Sequence, residues 1–96
     1  EDKMRFCCSD YISVFKALSD ETRLRIVIKL CQKEMCAAAL LKDFAIAQPT
    51  LSYHIRVLTD CGLVQARREG NWIFYSINPH RGAMVRCFLE DAGLEQ

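Results

Sequence analysis

Two strand-like runs separated by a two-residue turn most constrain how this chain can fold. The runs LVQARRE and WIFYSI flank Gly70 and Asn71, and this dipeptide favours a tight hairpin turn. Pairing Glu69 with Trp72 and counting outward gives the hairpin two faces, because side chains alternate along a strand. The face expected to meet the core contains Val64, Ala66, Ile73, Tyr75 and Ile77, and the opposite face contains Gln65, Arg67, Trp72, Phe74 and Ser76.

Apolar residues recur at helical spacing on both sides of the hairpin, which predicts four helices before it and one after it. The second helix follows SDETR, where Ser19 or Asp20 can cap its N-terminus. The third contains CAAALLKDF, the fourth begins near Pro49 and stops at Gly62, and the last follows the dipeptide at 78–79. This order describes a mainly α fold with a β-hairpin wing, a winged helix-turn-helix.

The apolar faces of these helices indicate the core. In the second helix, one face contains Leu24, Val27, Ile28 and Cys31, with Ile26 and Leu30 beside it. The third helix is expected to turn Leu40, Leu41 and Phe44 inward, and the last helix has an apolar face of Met84, Val85, Phe88 and Leu89.

Length and composition limit the classes of protein. A chain of 96 residues has room for one core, so residues 1–96 are expected to form a single winged helix-turn-helix domain. It has no apolar run near the roughly 20 residues of a membrane span, and its net charge of +1 excludes neither nucleic acid nor protein partners. It has no Ser/His/Asp set, paired acids or phosphate-binding loop, so we do not expect an enzyme.

Six cysteines could form three disulfides in so short a chain. The helical periodicity instead predicts a real core, which disulfide scaffolds typically lack. Adjacent Cys7 and Cys8 also have Cα atoms about 3.8 Å apart, below the usual minimum of about 4.4 Å for a disulfide. We therefore expect reduced thiols and a cytoplasmic protein, with Cys31, Cys61 and Cys87 as structural residues.

The fourth helix has the pattern of a DNA-reading helix. Leu51, Ile55 and Leu58 form one apolar stripe with His54 at its margin, and the opposite side contains Gln48, Ser52, Tyr53 and Arg56. Gln and Arg can bind base edges in a major groove, and arginines in the hairpin can reach phosphates or a minor groove. A solvated helix face has a similar composition, but the following arginine-bearing hairpin favours DNA. We expect His54 to be a packed or capping residue rather than a metal ligand.

The segments FKALSDETRLRIV, QPTLSYHIRVL, CGLVQARREGNWIFYSIN and the EMC before the third helix together resemble the ArsR/SmtB family. Its members are bacterial dimeric winged-helix repressors that release DNA when they bind a metal or metalloid. The resemblance covers roughly residues 11–78. It implies a homodimer built on the first and last helices, and a palindromic double-stranded DNA operator with half-sites about one helical turn apart. It also implies a DNA-reading helix with Gln48, Thr50, Ser52, Tyr53, His54 and Arg56, and a wing with Arg67, Arg68 and Asn71.

The resemblance is incomplete at the usual sulfur site. Many family members bind the inducer through a Glu-Leu-Cys-x-Cys pattern at the third helix, whereas this chain has Cys36 followed by Ala37 and Ala38. Some relatives bring N-terminal cysteines of one subunit to the third-helix cysteine of the other. By that analogy Cys7 and Cys8 would join the partner's Cys36. Three thiolates suit As(III) or Sb(III), and Cd(II), Pb(II) or Zn(II) with a fourth ligand.

Three functions remain open from the sequence. The first is a repressor that leaves its operator when a thiophilic metalloid or metal binds. The second keeps the DNA binding but makes the cysteines a switch for oxidants or reactive sulfur. The third is a winged-helix module that binds proteins and makes no DNA contacts.

Overall fold

The computed structural model describes residues 6–93 and confirms the winged helix-turn-helix. The elements are α1 (Cys8–Leu18), α2 (Glu21–Gln32), β1 (Met35–Cys36), α3 (Ala37–Lys42), α4 (Gln48–Asp60), β2 (Val64–Glu69), β3 (Trp72–Ile77), α5 (Pro79–Gly82) and α6 (Met84–Asp91). Within the described residues, none of the helices is both long enough and apolar enough to cross a membrane.

The wing has the predicted register. Strands β2 and β3 are antiparallel, with Glu69 opposite Trp72 and Val64 opposite Ile77. Gly70 in the turn has a φ of +62°, a conformation that glycine adopts without steric cost. The sequence did not predict β1, which pairs with β3 and completes a sheet of order β1-β3-β2. A strand of two residues is too short to show an alternating pattern.

The predicted core face of the hairpin is covered along only half of its length. Val64 is buried, and Tyr75 and Ile77 are half-buried against the core, whereas Ala66 and Ile73 are exposed. The prediction that all five pack inward is therefore wrong for these last two residues. Both side chains line an open groove between the wing and α4 instead of packing into the core, and Ile73 lies nearer the turn than Ala66.

The helices enclose a core whose most completely buried large side chains come from five of them: Val14, Ile26, Leu40, Leu51, Leu58 and Met84. Asp20 caps α2, because its carboxylate accepts the backbone N–H of Arg23 at 3.0 Å. Gly62 follows the C-cap of α4 with a φ of +84°, so it ends that helix as the sequence predicted.

The inward face of α2 differs from the prediction. Ile26 and Leu30 are buried, while Leu24, Ile28 and Cys31 are exposed. Apolar residues surround much of this helix, so periodicity alone could not identify the stripe against which α1, α4 and β3 pack. The expectation that Cys31 is a buried structural thiol is wrong for the same reason.

The single helix predicted after the wing is divided into α5 and α6. The Asn78 side chain caps α5 by accepting the backbone N–H groups of His80 and Arg81 at 3.0 and 3.4 Å. Helix α6 packs on α1 through Phe88, whose ring lies 5.3 Å from that of Tyr11 and 5.2 Å from that of Phe15, measured between centroids. These contacts leave the side chains of Ile12, Val85 and Leu89 exposed.

Candidate DNA interface and cysteine site

Helix α4 presents a continuous polar side to solvent. Pro49 occupies its first turn, where a missing N–H costs no helical hydrogen bond. Leu51, Ile55 and Leu58 are buried, which fixes the rotation of the helix about its axis. The side chains that this rotation leaves exposed are those of Gln48, Thr50, Ser52, Tyr53 and Arg56. Five of the six residues assigned to this helix by resemblance therefore form one accessible surface.

His54 is the exception, because its imidazole is buried. Its Nδ1 lies 3.1 Å from a terminal guanidinium nitrogen of Arg23 and 3.9 Å from Oδ2 of Asp20. Arg23 also donates through Nε to the Ala17 carbonyl at 2.7 Å. This network joins the end of α1 to α2 and α4, which makes His54 a packed residue, as its place beside the apolar stripe indicated. Its buried imidazole is therefore not part of the exposed polar side of α4.

Arg67 is the most constrained cation of the wing. Its guanidinium donates to both carboxylate oxygens of Glu34, at 3.0 and 2.7 Å, and to Glu69 at 2.7 Å. It also lies over the Phe74 ring, 4.9 Å from the centroid, which is cation–π geometry. These hydrogen bonds lower the pKa of Glu34 and raise the pKa of Arg67. Arg67 therefore holds β2 to the residue before β1, and its charge is balanced within the chain.

Arg68 and Asn71 stand at the tip of the wing and are exposed. Arg68 lies opposite Ile73, and its guanidinium makes a long contact of 3.4 Å with the Gly70 carbonyl. Among the described residues no carboxylate pairs with it. Of the two arginines predicted for DNA contact in the wing, Arg68 is thus the one available to an external phosphate.

A groove of about 660 Å³ separates α4 from the wing. Gln48, Ser52 and Arg56 line its helical side, and Ala66 and Ile73 line its wing side. The polar side of α4 and the exposed part of the wing therefore border the same open space.

The two N-terminal thiols predicted as metal ligands are accessible. Cys7 and Cys8 are exposed at the start of α1. The Cys7 thiol donates to Oδ2 of Asp10 at 3.2 Å and lies 3.1 Å from the Ser9 hydroxyl. The Cys7 thiol, and secondarily Arg81, lower the pKa of Asp10.

The third predicted ligand, Cys36, is half-buried where β1 meets α3 and lies opposite Phe74 in the sheet. Across residues 6–93 of one protomer, no three His, Cys, Asp or Glu side chains are grouped so that they could hold a metal ion. The described chain therefore does not bring Cys36 together with Cys7 and Cys8, and a site made of these three thiols would have to combine two copies of the chain.

The remaining thiols have different environments. Cys87 is buried, as predicted for a structural residue, and Cys61 is half-buried with its thiol donating to the Leu58 carbonyl at 3.3 Å. Cys31 is exposed on α2. No sequence pattern distinguished this thiol from the buried ones.

Comparison with known proteins identifies a family of regulators. Residues 20–66 match the family model described as bacterial regulatory protein, arsR family. The arsenical resistance operon repressor of Escherichia coli K12 is 37% identical over 82 residues, which are 84% of this chain and 70% of that protein. The Bacillus subtilis repressor of the same name is 39% identical over 69 residues, 71% of this chain and 66% of that protein. The chain thus spans about two thirds of the length of these relatives.

Solved structures share the fold. One is the homodimeric winged helix-turn-helix DNA-binding domain of a possible ArsR-family transcriptional regulator from Mycobacterium bovis, determined by NMR. It superposes with a TM-score of 0.73 at 30% sequence identity, covering 88% of this chain and 82% of that one.

Proposed function

The chain belongs to the arsR family of bacterial regulatory proteins, whose members compared above are transcriptional regulators rather than enzymes, and from that membership we propose a specific function. The protein is a homodimeric repressor that binds a palindromic operator and leaves it when a thiophilic metalloid, As(III) or Sb(III), binds cysteine thiolates. The observation that carries the proposal is the exposed polar side of α4 beside a wing whose Arg68 has no carboxylate partner among the described residues.

The DNA contacts follow from that surface. Gln48, Ser52 and Arg56 lie on the accessible side of α4, where Gln and Arg can make bidentate hydrogen bonds to adenine and guanine edges in a major groove. Thr50, Tyr53 and Asn71 supply further polar contacts, and Arg68 supplies a phosphate contact from the wing. The groove between α4 and the wing lies where the backbone of one DNA strand would pass.

The dimer is proposed on the outer surface of α1 and α6. Ile12, Val85 and Leu89 are exposed there although the neighbouring aromatic side chains pack within the protomer. Large apolar side chains of this kind indicate a surface that another protein covers. The homodimeric domain from Mycobacterium bovis, which shares the fold, supports this stoichiometry.

The inducer site is proposed between two protomers, from Cys7 and Cys8 of one and the partner's Cys36. Arsenous acid would exchange its three hydroxyl groups for three thiolate sulfurs. Each thiol proton leaves with a hydroxyl group, so three water molecules are released. Sulfur ligation also admits Cd(II), Pb(II) or Zn(II) when a fourth ligand completes the site.

Release requires that the inducer bind the low-affinity conformation more tightly than the DNA-bound one. DNA must then weaken inducer binding by the same factor, because coupling between two sites is reciprocal. Cys36 precedes α3 and is paired with β3 of the wing. Residues of α3 and β3 both line the groove beside α4, so ligation at Cys36 would act next to the proposed DNA surface.

The proposal is tested with a labelled duplex that the protein selects from a random-sequence library. Fluorescence anisotropy measures binding of the full chain in reducing buffer, and As(III), Sb(III), Cd(II), Pb(II) and Zn(II) are then added separately. We expect salt-dependent binding of a palindrome and release by As(III) or Sb(III). Failure to enrich any sequence would overturn the proposal of a repressor, and retention of the duplex with all five ions would overturn the inducer class.

A second candidate uses the same exposed thiols as an oxidation switch. Cys7, Cys8 and Cys31 are all accessible, and exposed thiols oxidise more readily than buried ones. Mass spectrometry of the released protein separates the two mechanisms. Ligation leaves the mass of the denatured chain unchanged, whereas release after mild peroxide or polysulfide would accompany added oxygen, added sulfur or loss of hydrogen.

A further inference from the structure

The tip of the wing has a large exposed aromatic side chain. Trp72 is the single tryptophan of the chain and begins β3 directly after the turn. It is 58% exposed, as much as Tyr53 on the polar side of α4, which is 59% exposed. An indole ring buries a large area when it meets a partner, so its position at a solvent-exposed turn points to a contact outside the protomer.

The charges at the tip of the wing differ between its two faces. The acid opposite Trp72 in the register is Glu69, whose carboxylate accepts from Arg67 at 2.7 Å, and the same guanidinium also pairs with Glu34. Arg68 has no carboxylate partner among the described residues and faces the other side of the ribbon, because it is paired with Ile73. The tip therefore presents an unbalanced cation on one face and an indole on the other.

We propose that Trp72 is a DNA contact of the wing, packing its ring against the deoxyribose wall of the minor groove. The inference rests on the proposed function and adds a residue to it. Because β2 packs against α4, a wing beside a helix seated in the major groove places its tip at the neighbouring minor groove. Proteins that enter this groove commonly combine cationic side chains with apolar ones. Arg68 supplies the first and Trp72 the second.

Loss of the Trp72 contact should change the sequence dependence and the salt dependence of DNA binding differently from loss of an arginine contact. Deoxyribose is the same in every nucleotide, so removing the ring should weaken binding to different sequences by a similar factor. The ring has no charge and displaces no counterion, so the slope of log K against log salt should not change. Removal of the Arg68 guanidinium should instead make that negative slope less steep.

The single tryptophan makes the contact directly observable. The full chain is titrated with the selected duplex while indole emission, acrylamide quenching of that emission and anisotropy of the labelled DNA are recorded. We expect the emission and its accessibility to acrylamide to change with the same midpoint as the anisotropy. Trp72→Ala should weaken binding at least about fivefold, because the apolar area that the indole buries is lost, with the salt slope retained. Trp72→Phe should recover most of the affinity, and circular dichroism checks that both variants fold.

Each other outcome overturns the inference in a distinguishable way. Saturating anisotropy with unchanged indole emission and quenching, or wild-type affinity in Trp72→Ala, would exclude Trp72 as a contact while the proposed function stands. A change in emission with protein concentration alone, without DNA, would assign the ring to an interface between copies of the chain. Absence of binding by anisotropy would overturn the proposed function and this inference with it.

Discussion

The Glu34 carboxylate holds the Arg67 guanidinium through two hydrogen bonds, at 3.0 and 2.7 Å, and thereby ties the wing to the residue before β1. Cys36 lies two residues beyond Glu34, and its cross-strand partner Phe74 lies beneath the same guanidinium. The half-buried thiol and the base of the wing are therefore parts of one small sheet.

This ion pair predicts unequal roles for the two arginines of the wing. Arg68→Ala should reduce the magnitude of the negative slope of log K against log salt by about 0.9 for each phosphate that the guanidinium neutralises in the wild type. Arg67→Ala should lower it by less than half as much, because Glu34 and Glu69 already balance that charge. Anisotropy titrations of one duplex at several salt concentrations measure both slopes. Equal reductions in slope would show that Arg67 exchanges its carboxylates for phosphates on binding.

The same ion pair predicts a dependence of stability on pH. Arg67 lowers the pKa of Glu34 in the folded protein below its ordinary value of 4.5. The contribution of this ion pair to the free energy of unfolding is therefore complete at pH values above the ordinary pKa. It is lost as pH falls through the lowered folded pKa, because the unfolded state then takes up the proton more readily. Thermal unfolding of the wild type and Glu34→Gln should differ by a constant Tm gap from about pH 7 to about pH 5, narrowing below about pH 4. A gap that widens in acid would contradict this assignment.

Two isoleucines with almost equal exposure test the dimer surface. Ile12 on α1 is 52% exposed and Ile28 on α2 is 53% exposed, but only Ile12 lies on the proposed interface. Ile12→Glu should raise the dimer dissociation constant by at least about tenfold, because it buries an unpaired charge between protomers. Ile28→Glu should leave the constant nearly unchanged. Sedimentation equilibrium measures both variants, and the reverse ranking would move the interface to α2.

A mixed dimer locates the thiol site. One protomer carries Cys36→Ser and the other carries Cys7→Ser with Cys8→Ser, so neither has a complete set. If each site takes Cys7 and Cys8 from one protomer and the partner's Cys36, the mixed dimer retains one site and each parent homodimer retains none. Mass spectrometry under native conditions should detect one As(III) per mixed dimer and none in the parents. If the mixed dimer binds no As(III), or if a parent homodimer binds as much As(III) as the mixed dimer, a site shared in this way would be excluded.

The sequence predicted the features that local patterning controls. The turn dipeptide set the register of the wing, and Asp20 and Gly62 marked helix ends, since each acts through its own backbone neighbourhood. The sequence did not predict the features that depend on how the helices and strands pack together. The buried stripe of α2 and the exposure of Cys31 depend on where α1, α4 and β3 dock.

In the candidate site, too, the sequence predicted what local geometry controls and did not predict what packing controls. The exposed side of α4 followed from helical geometry, and His54 was expected to pack. Nothing in the sequence separated Arg67 from Arg68, because the carboxylate that engages Arg67 comes from Glu34, 33 residues away. Alternation along β2 assigned Arg67 to the face away from the core but could not show that a carboxylate meets it there.

Release of DNA by thiolate ligation is tested by adding As(III) to the preformed complex in reducing buffer and following the anisotropy of the labelled duplex. The wild type should release the duplex, and Cys36→Ser should bind it with unchanged affinity yet remain bound at As(III) concentrations that empty the wild-type complex. Cys31→Ser removes an exposed thiol that is not assigned to the site and should respond like the wild type. Release of the Cys36→Ser complex at the wild-type As(III) concentration would show that DNA release does not depend on ligation of Cys36.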